Sequence, residues 1–304
     1  MGGIARYVPW RAVRWLACAY LGVLLMLMFV ENRLIFAPNR NPRGTWNPPT
    51  AQGENVTFKA GDGTSLTGWY LPRSQPKAVV LFACGNGGNM SYWADYFRTL
   101  QLQLDATIMG FNYRGYGTSE GSPSEKGVLD DARSARRWLA ERAGVAEKDV
   151  VLIGRSLGGG VVADLAQDGC RALVIESSFT SLPDVAARIY PFLPVRYVMR
   201  TRFDSLRKLA GYSGPLFISH GDADELIPLA MGQALFEASP GSTKKFLHRA
   251  RRHAQRSATA GVLHRVGGIF GAAIARERRG YGNRSVTPGR RFSRFSPNNA
   301  RLAS

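Results

Sequence analysis

Residues 150–160 read VVLIGRSLGGG, an apolar run of strand length that leads directly into a Gly-x-Ser-x-Gly pentapeptide. The residues that follow it, 159–163, read GGVVA and suit the start of a helix. A strand, a tight turn and a helix in this order place Ser156 on a strained turn with its hydroxyl exposed. The dipole at the N-terminus of the helix favours a developing negative charge there. Ser156 is therefore our candidate nucleophile.

Apolar runs of similar length recur along the chain and predict the rest of a sheet. Unbroken runs suit strands that are buried on both faces of a parallel sheet. The five runs are Ala78–Ala83, Thr107–Phe111, Val150–Ile153, Ala172–Ile175 and Leu216–Ser219. A hairpin, Asn55–Lys59 with Leu66–Leu71, precedes them, and helical patterns such as Gly127–Ala143 and Gly158–Gln167 lie between them. This alternation predicts an α/β fold with a mostly parallel, doubly wound sheet.

The composition suits a folded protein without a metal or disulfide framework. The chain has 304 residues and is 45% hydrophobic, which is enough for a packed core and argues against global disorder. Its three cysteines are Cys18, Cys84 and Cys170. Their number is odd and their spacing suits neither a metal site nor a set of disulfides, so we assume neither.

Two loops that follow predicted strands carry groups that could serve Ser156. Residues 84–89, after the first apolar run, read CGNGGN, and a Gly-rich loop can turn a backbone N–H towards the nucleophile. Together with the N–H of Leu157, this would form a two-donor oxyanion hole. The loop after the last apolar run contains Asp222 and Asp224, about 70 residues past the serine. That position fits the chain order Ser…Asp…His.

Together these motifs resemble the α/β-hydrolase superfamily, in the serine-aminopeptidase-like branch that includes membrane-anchored serine hydrolases and depalmitoylase-like enzymes. The resemblance covers roughly residues 32–247. The matching stretches are LIFAP at 34–38, GNGGN at 85–89, YRGYG at 113–117, GRSLGG at 154–159, ESSFTS at 176–181 and HGDAD at 220–224. The resemblance implies an α/β-hydrolase fold, a Ser-His-Asp triad and no cofactor.

The resemblance also implies roles for matching residues. Asp224 becomes the acid of the triad, and the backbone N–H groups of Asn86 and Leu157 form the oxyanion hole. Glu176 is a second candidate acid, because some hydrolases place the acid after the preceding strand. Cys84 stands where the family usually has a histidine. That position shapes the loop and is not the proton acceptor, so the departure leaves the triad intact.

The histidine of the triad is harder to assign, because no histidine precedes residue 220. The family places this base after the last strand, in a pattern like Pro-Gly-x-x-His-Asn. We predict Lys244–His248 to be that strand, but residues 249–256 read RARRHAQR and do not match. His253 lies one residue before the expected place, and we take it as the candidate base. His264 lies well beyond that place.

The C-terminal tail differs in composition from the rest of the chain. Residues 246–304 contain 13 arginines, no lysine and one acid, which is +12 of the net charge of +18. Residues 249–256 could be encoded as CGT GCC CGG CGG CAC GCA CAA CGA, which is one choice among synonymous codons. Read one base later, this DNA encodes Val-Pro-Gly-Gly-Thr-His-Asn, which matches the family's pattern. We therefore hypothesise that the tail after about His248 is out of frame, through mutation or sequencing error. The alternative is a genuine basic tail that binds anionic lipid or nucleic acid.

The N-terminus carries an uncharged apolar run over residues 15–30. Its length predicts a membrane-spanning helix. A cleaved signal peptide is disfavoured because no small-x-small site follows the run. A buried core helix is the alternative, because a helix that is apolar on every face lies either in a membrane or in a protein core. The free amino terminus and Glu31 tip the orientation towards an inside N-terminus and an extracytoplasmic domain.

The sequence thus predicts a membrane anchor (1–32), a hydrolase domain (33–248) and an Arg-rich tail (249–304) that is out of frame or disordered. The domain would hydrolyse an ester, thioester or amide bond of a small-molecule or acylated substrate. Residues 182–203 would either cap the site or pack against the domain. No specific nucleic-acid partner is expected, because the body of the chain is only mildly basic. Two rival classes are an inactive member that lost its histidine loop, and a protein that binds membranes or nucleic acid through its tail.

Overall fold

The computed structural model describes residues 9–249 and contains one mixed sheet of eight strands in the order β1-β2-β4-β3-β5-β6-β7-β8. The strands are β1 Glu54–Lys59, β2 Ser65–Leu71, β3 Ala78–Ala83, β4 Ala106–Phe111, β5 Val150–Arg155, β6 Ala172–Glu176, β7 Leu216–Gly221 and β8 Lys244–Arg249. Strand β2 runs antiparallel to β1 and β4, and every other neighbouring pair is parallel. The predicted α/β fold with a mostly parallel sheet is confirmed, and the predicted last strand is one residue longer than expected.

Eight α-helices surround the sheet among the described residues. They are α1 Trp10–Ile35, α2 Ala94–Leu104, α3 Glu125–Ala143, α4 Leu157–Leu165, α5 Leu182–Ile189, α6 Val195–Val198, α7 Ser205–Ala210 and α8 Leu229–Ala238. Helices α3, α4, α7 and α8 pack side by side in one row. Every residue of β3 and β4 is buried, as expected for strands covered on both faces.

Two neighbouring aromatic residues of β2 show that α2 and α3 cover opposite faces of the sheet. Trp69 packs edge-on against Phe97 of α2, with ring centroids 6.2 Å apart. The next residue, Tyr70, packs against Trp138 of α3, with centroids 5.6 Å apart. Successive side chains of a strand point to opposite faces, so the two helices lie on opposite sides. The sheet is therefore covered on both faces here, as a doubly wound fold requires.

Helix α1 is the predicted N-terminal apolar helix, and it extends past the predicted anchor boundary at residue 32. Its 26 residues are long and apolar enough to cross a membrane, with a length of about 39 Å at 1.5 Å per residue. Large apolar side chains on its first turns are exposed, among them Trp15 and Leu16. Residues 1–8 and 250–304, which include His253, His264 and all but the first residue of the proposed out-of-frame tail, lie outside the described residues.

The turn between β5 and α4 brings three backbone segments very close together. Ser156 has φ +54° and ψ −118°, a conformation that L-residues rarely adopt. A Cβ added at Gly158 would overlap the carbonyl oxygen of Ala83, and one at Gly154 would overlap the backbone of Gly158. Glycine is therefore required on both sides of the serine by close approach, as the pentapeptide predicted.

Replacing Gly158 by alanine tests this packing. We expect the free energy of unfolding to fall by about 1–3 kcal/mol or more, because the methyl group meets rigid backbone of β3 rather than a flexible side chain. Gly211→Ala is the matched control, since a Cβ there makes only ordinary contacts, and its effect should stay within about 0.5 kcal/mol. Denaturant unfolding of both variants measures the difference. Equal stabilities would contradict the described turn.

Candidate active site

The serine turn is held at both ends by hydrogen bonds to the neighbouring strand. The N–H of Ser156 donates to the carbonyl of Glu176, at 2.9 Å. The carbonyl of Ser156 accepts the hydroxyl of Ser178, at 2.8 Å, and the N–H of Gly159, at 2.9 Å. These bonds fix the backbone of Ser156, which lines an apolar cavity. The serine side chain is thus attached to a rigid part of the backbone.

The two predicted oxyanion-hole residues line the same cavity as the serine. Leu157 is the first residue of α4, and the first N–H groups of a helix have no partner within the helix. Asn86 belongs to the Gly-rich loop after β3, which passes so close that a Cβ at Gly85 would lie 3.5 Å from the Cβ of Ser156. The structure therefore brings Asn86, Ser156 and Leu157 together.

The side chain of Asn86 anchors its loop rather than facing the serine. Its Nδ2 donates to the carbonyl of Ile35, at 2.6 Å. Its Oδ1 accepts the hydroxyl of Tyr116, at 2.6 Å, and the N–H of Ala37, at 3.1 Å. With the side chain held in this way, the backbone N–H of Asn86 is the group that could serve an oxyanion.

The loop at residues 112–117 supports the Gly-rich loop that follows β3. The hydroxyl of Tyr113 donates to the carbonyl of Cys84, at 2.9 Å. The guanidinium and backbone N–H of Arg114 donate to the buried carboxylate of Asp131, at 2.7–2.9 Å. Burial raises the pKa of the Cys84 thiol. Cys84 is therefore a neutral packing residue here, which agrees with its assignment as a loop-shaping position.

Asp224, the first candidate acid, lies in the loop after β7 with part of its carboxylate free. Its Oδ1 accepts the N–H of Ile227, at 2.9 Å. Its Oδ2 lies 4.0 Å from Nε2 of His220, and that nitrogen is 2.7 Å from the carbonyl of Ile227. Burial lowers the pKa of His220, so its ring is neutral and donates from Nε2 to the carbonyl. His220 thus supports the loop after β7. Oδ2 of Asp224 accepts no hydrogen bond from residues 9–249.

Glu176, the second candidate acid, is committed to other partners. Its side chain is buried, and Oε1 accepts the hydroxyl of Tyr96, at 3.0 Å. Oε2 lies 4.0 Å from the guanidinium of Arg155. A carboxylate that is already paired in this way is less available to orient a histidine. The geometry therefore favours Asp224 over Glu176 as the acid.

The part of the chain that the structure describes supplies no histidine to the cavity of Ser156. His220 is enclosed behind the loop after β7, and His248 is exposed on β8, where its Nε2 lies 3.7 Å from Asp222. The candidate base His253 falls outside the described residues. Within residues 9–249, no group of three His, Cys, Asp or Glu side chains could hold a metal ion.

The cavity above Ser156 has a volume of about 520 Å³ and mostly apolar walls. One wall comes from residues 182–199, which contain α5 and α6 and lie within the segment 182–203 that was predicted as a possible cap. Another wall comes from α1, through Leu24, Leu27 and Met28. A larger depression of about 920 Å³ lies on another side of α1, but charged residues line it and it does not include Ser156.

Sequence reasoning missed the contribution of α1, because it treated that helix only as an anchor. The one available signal was Glu31, an acid at the end of an apolar run. In the structure its carboxylate accepts the N–H groups of Arg200 and Thr201, at 3.1 and 2.6 Å. Docking of α1 on the cap therefore depends on contacts between residues about 170 positions apart.

Comparison with known proteins agrees with this architecture. The family model described as alpha/beta hydrolase fold matches residues 78–211. An uncharacterized protein of Mycobacterium tuberculosis is 34% identical over 221 residues, which is 72% of this chain and 78% of that protein. An uncharacterized membrane protein of Saccharomyces cerevisiae is 30% identical over 72% of this chain and 81% of its own length.

Among solved structures, an esterase of Pyrococcus furiosus superposes with a TM-score of 0.63 at 18% identity, over 78% of this chain and 98% of the esterase. At that identity the likeness speaks for the fold alone. The family match and the similarity to the mycobacterial protein agree with the order of the strands and with the serine turn. The chain therefore belongs to the α/β-hydrolase family.

Proposed function

We propose that this protein is a serine hydrolase that cleaves ester, thioester or amide bonds through an acyl-enzyme on Ser156. The observation that carries the proposal is the strained turn of Ser156, which opens into one cavity together with Asn86 and Leu157. The Pyrococcus protein of the same fold is named an esterase, and a second structural neighbour, Est1E of Butyrivibrio proteoclasticus, is described with bound ferulic acid. Both names favour acyl-transfer chemistry at an ester.

The proposed reaction follows from the positions of these groups. A histidine base takes the proton of the Ser156 hydroxyl as its oxygen attacks the carbonyl carbon of the substrate. The negative charge that forms on the carbonyl oxygen is stabilised by the N–H groups of Asn86 and Leu157 and by the N-terminus of α4. The histidine then protonates the leaving group. Water, activated by the same histidine, releases the acid and restores the serine, while Asp224 orients the ring.

We also propose that α1 anchors the protein in a membrane as a single span, with the hydrolase domain on the extracytoplasmic side. The length of α1 and the exposure of Trp15 and Leu16 support membrane association, as does the name of the yeast relative. The orientation rests on the charges that flank the helix.

The present tail does not supply the histidine base in the pattern that the family uses. Arg249, the first residue of the proposed out-of-frame segment, is half-buried, and its Nη2 donates to the hydroxyl of Ser177, at 2.8 Å. Burial lowers the pKa of its guanidinium, although Glu176 and Asp224 attract the charge, and taking a cation out of water costs free energy. The shifted frame places valine at this position, which removes this partly buried charge and supports the frameshift hypothesis. If the present tail is genuine, His253 is the candidate base.

Replacing Ser156 by alanine tests the nucleophile. The change removes one hydroxyl from a rigid turn, so the fold should persist while hydrolysis of short p-nitrophenyl esters is lost. Turnover and thermal unfolding of chains with and without the substitution, both carrying the one-base correction near codon 248, check both expectations. Undiminished turnover in the alanine variant would show that another group is the nucleophile.

A comparison of two carboxamide variants tests the acid. Asp224→Asn should lower turnover on the order of 10⁴-fold, because an amide holds the histidine in the wrong tautomer. Glu176→Gln is the matched control on the neighbouring strand, and it should cost much less because Glu176 is bonded to Tyr96. Esterase rates of both variants give the ranking. The reverse order would assign the acid to Glu176.

A one-base correction near codon 248 tests the frame of the tail. We expect the chain with its present tail to express poorly and to hydrolyse almost nothing, since loss of a triad member typically costs about 10⁴–10⁶ in turnover. The corrected chain should gain soluble yield and activity together. A present tail that supports full activity, abolished by His253→Ala, would reject the frameshift and make His253 the base. A present tail that gives a well-folded but inactive protein would favour the inactive member of the family.

A further inference from the structure

One stripe of α1 is turned towards the cavity of Ser156 and away from the surroundings of the protein. Leu24 is only 9% exposed, although its neighbour Met26 is 56% exposed. Leu27 and Met28 are partly buried and line the cavity together with Leu24. Residues three and four positions apart share one face of a helix. The buried stripe is therefore a defined face of α1 rather than scattered contacts.

Polar contacts fix the rotation of α1 against the cap, defined as residues 182–203. The buried carboxylate of Glu31 accepts the N–H groups of Arg200 and Thr201. The guanidinium of Arg200 donates in turn to the carbonyl of Met28, and the hydroxyl of Tyr20 donates to the carbonyl of Phe192, at 3.2 Å. Buried hydrogen bonds to a charged group are costly to break. The inner stripe of α1 is therefore held in place as a wall of the cavity.

The chemistry of the cavity suits an aliphatic chain whose carbonyl lies at Ser156. Ser156 and the backbone of Asn86 and Leu157, which could receive a carbonyl, line this cavity. Apart from Glu31, Phe179 and Tyr190, the remaining lining is aliphatic and comes in part from Val185 and Ile189 of α5. A volume of about 520 Å³ falls within the range of sites that enclose a small ligand, roughly 300–1,000 Å³.

Exposed aromatic side chains on the cap suit contact with a membrane surface. Phe192 is 91% and Tyr197 is 90% exposed, and the carbonyl of Phe192 accepts the hydroxyl of Tyr20 of α1. Tyr190 is exposed next to them and also lines the cavity. Aromatic rings are enriched where a membrane protein meets the headgroup region. With α1 in the bilayer, the cavity would open beside the lipid.

We propose that α1 is part of the substrate pocket, and that this pocket receives the acyl chain of a membrane-embedded ester or thioester directly from the lipid phase. The identity of the substrate rests on the proposed hydrolase function, whereas the pocket itself does not. Leu24, Leu27 and Met28 act as specificity-determining residues, because they contact the chain and not the reacting carbonyl. The membrane anchor and the acyl pocket are thus one structure.

Photo-crosslinking of the full chain in phosphatidylcholine nanodiscs tests this pocket without requiring turnover. The probe is palmitic acid with a diazirine at its terminal carbon, and crosslinked peptides are identified by mass spectrometry. We expect crosslinks on the cap peptides within residues 182–199 and on the inner stripe of α1. Crosslinks confined to the outward residues of α1, such as Met26, would overturn the proposal.

A matched pair of variants sharpens the test. Leu27→Trp fills the cavity and should lower crosslinking of the cap about tenfold, which corresponds to about 1.4 kcal/mol or roughly two buried methylene groups. Met26→Trp adds the same ring on the exposed face and should leave the cap crosslinks unchanged. Ile189→Trp fills the cavity from α5 and provides a second test should Leu27→Trp fail to fold. Equal crosslinking of the cap peptides in Leu27→Trp and Met26→Trp would reject the pocket.

The outcomes separate this inference from the proposed function. A chain that hydrolyses esters through Ser156 but shows no crosslinks on the cap would reject the pocket and keep the hydrolase. A chain with the frame near codon 248 corrected that shows the expected crosslinks but hydrolyses no ester would keep the pocket and reject the proposed hydrolase activity.

Discussion

The backbone of Ser156 is held at φ +54° and ψ −118° between a buried strand and a buried helix, and the rest of the site is arranged around it. A residue in such a conformation costs about 1–3 kcal/mol. The hydrogen bonds to Glu176 and Ser178 and the contact of Gly158 with Ala83 hold the turn in place. They also bring the Gly-rich loop of β3 next to the serine. The position of the candidate nucleophile Ser156 thus depends on the packing of three central strands, β3, β5 and β6.

The site is enclosed by elements that lie far apart in the sequence. The central sheet supplies Ser156, Asn86 and Leu157, while the walls of the cavity come from α1 and the cap. Glu31 joins these two walls through hydrogen bonds to the backbone of residues 200 and 201. A helix that is long and apolar enough to cross a membrane therefore also shapes the space into which the serine faces. This arrangement links the proposed location of the protein to the proposed class of its substrate.

The sequence was sufficient to predict the fold, because its signals are local. Apolar runs such as Ala78–Ala83 became buried parallel strands, and the pentapeptide around Ser156 became a strand–turn–helix junction. The docking of α1 could not be predicted in this way, because it depends on Glu31 meeting the backbone of a distant segment. The role of His220 was equally hidden, since only the folded loop shows that its ring braces Ile227 and not the serine. The roles of Ser156, Asp224, His253, Asn86 and Leu157 in catalysis remain predictions.

Covalent labelling of the full chain with a long-chain alkyl fluorophosphonate tests the central claim most directly. We predict a single phosphonyl adduct on the tryptic peptide that begins at Ser156 and ends at Arg171. The adduct should form slowly with the present tail, which lacks the base, and rapidly once the frame near codon 248 is corrected, because the restored base activates the same serine. An unmodified peptide in both chains, or an adduct on any other residue, would contradict the assignment of Ser156 as the nucleophile.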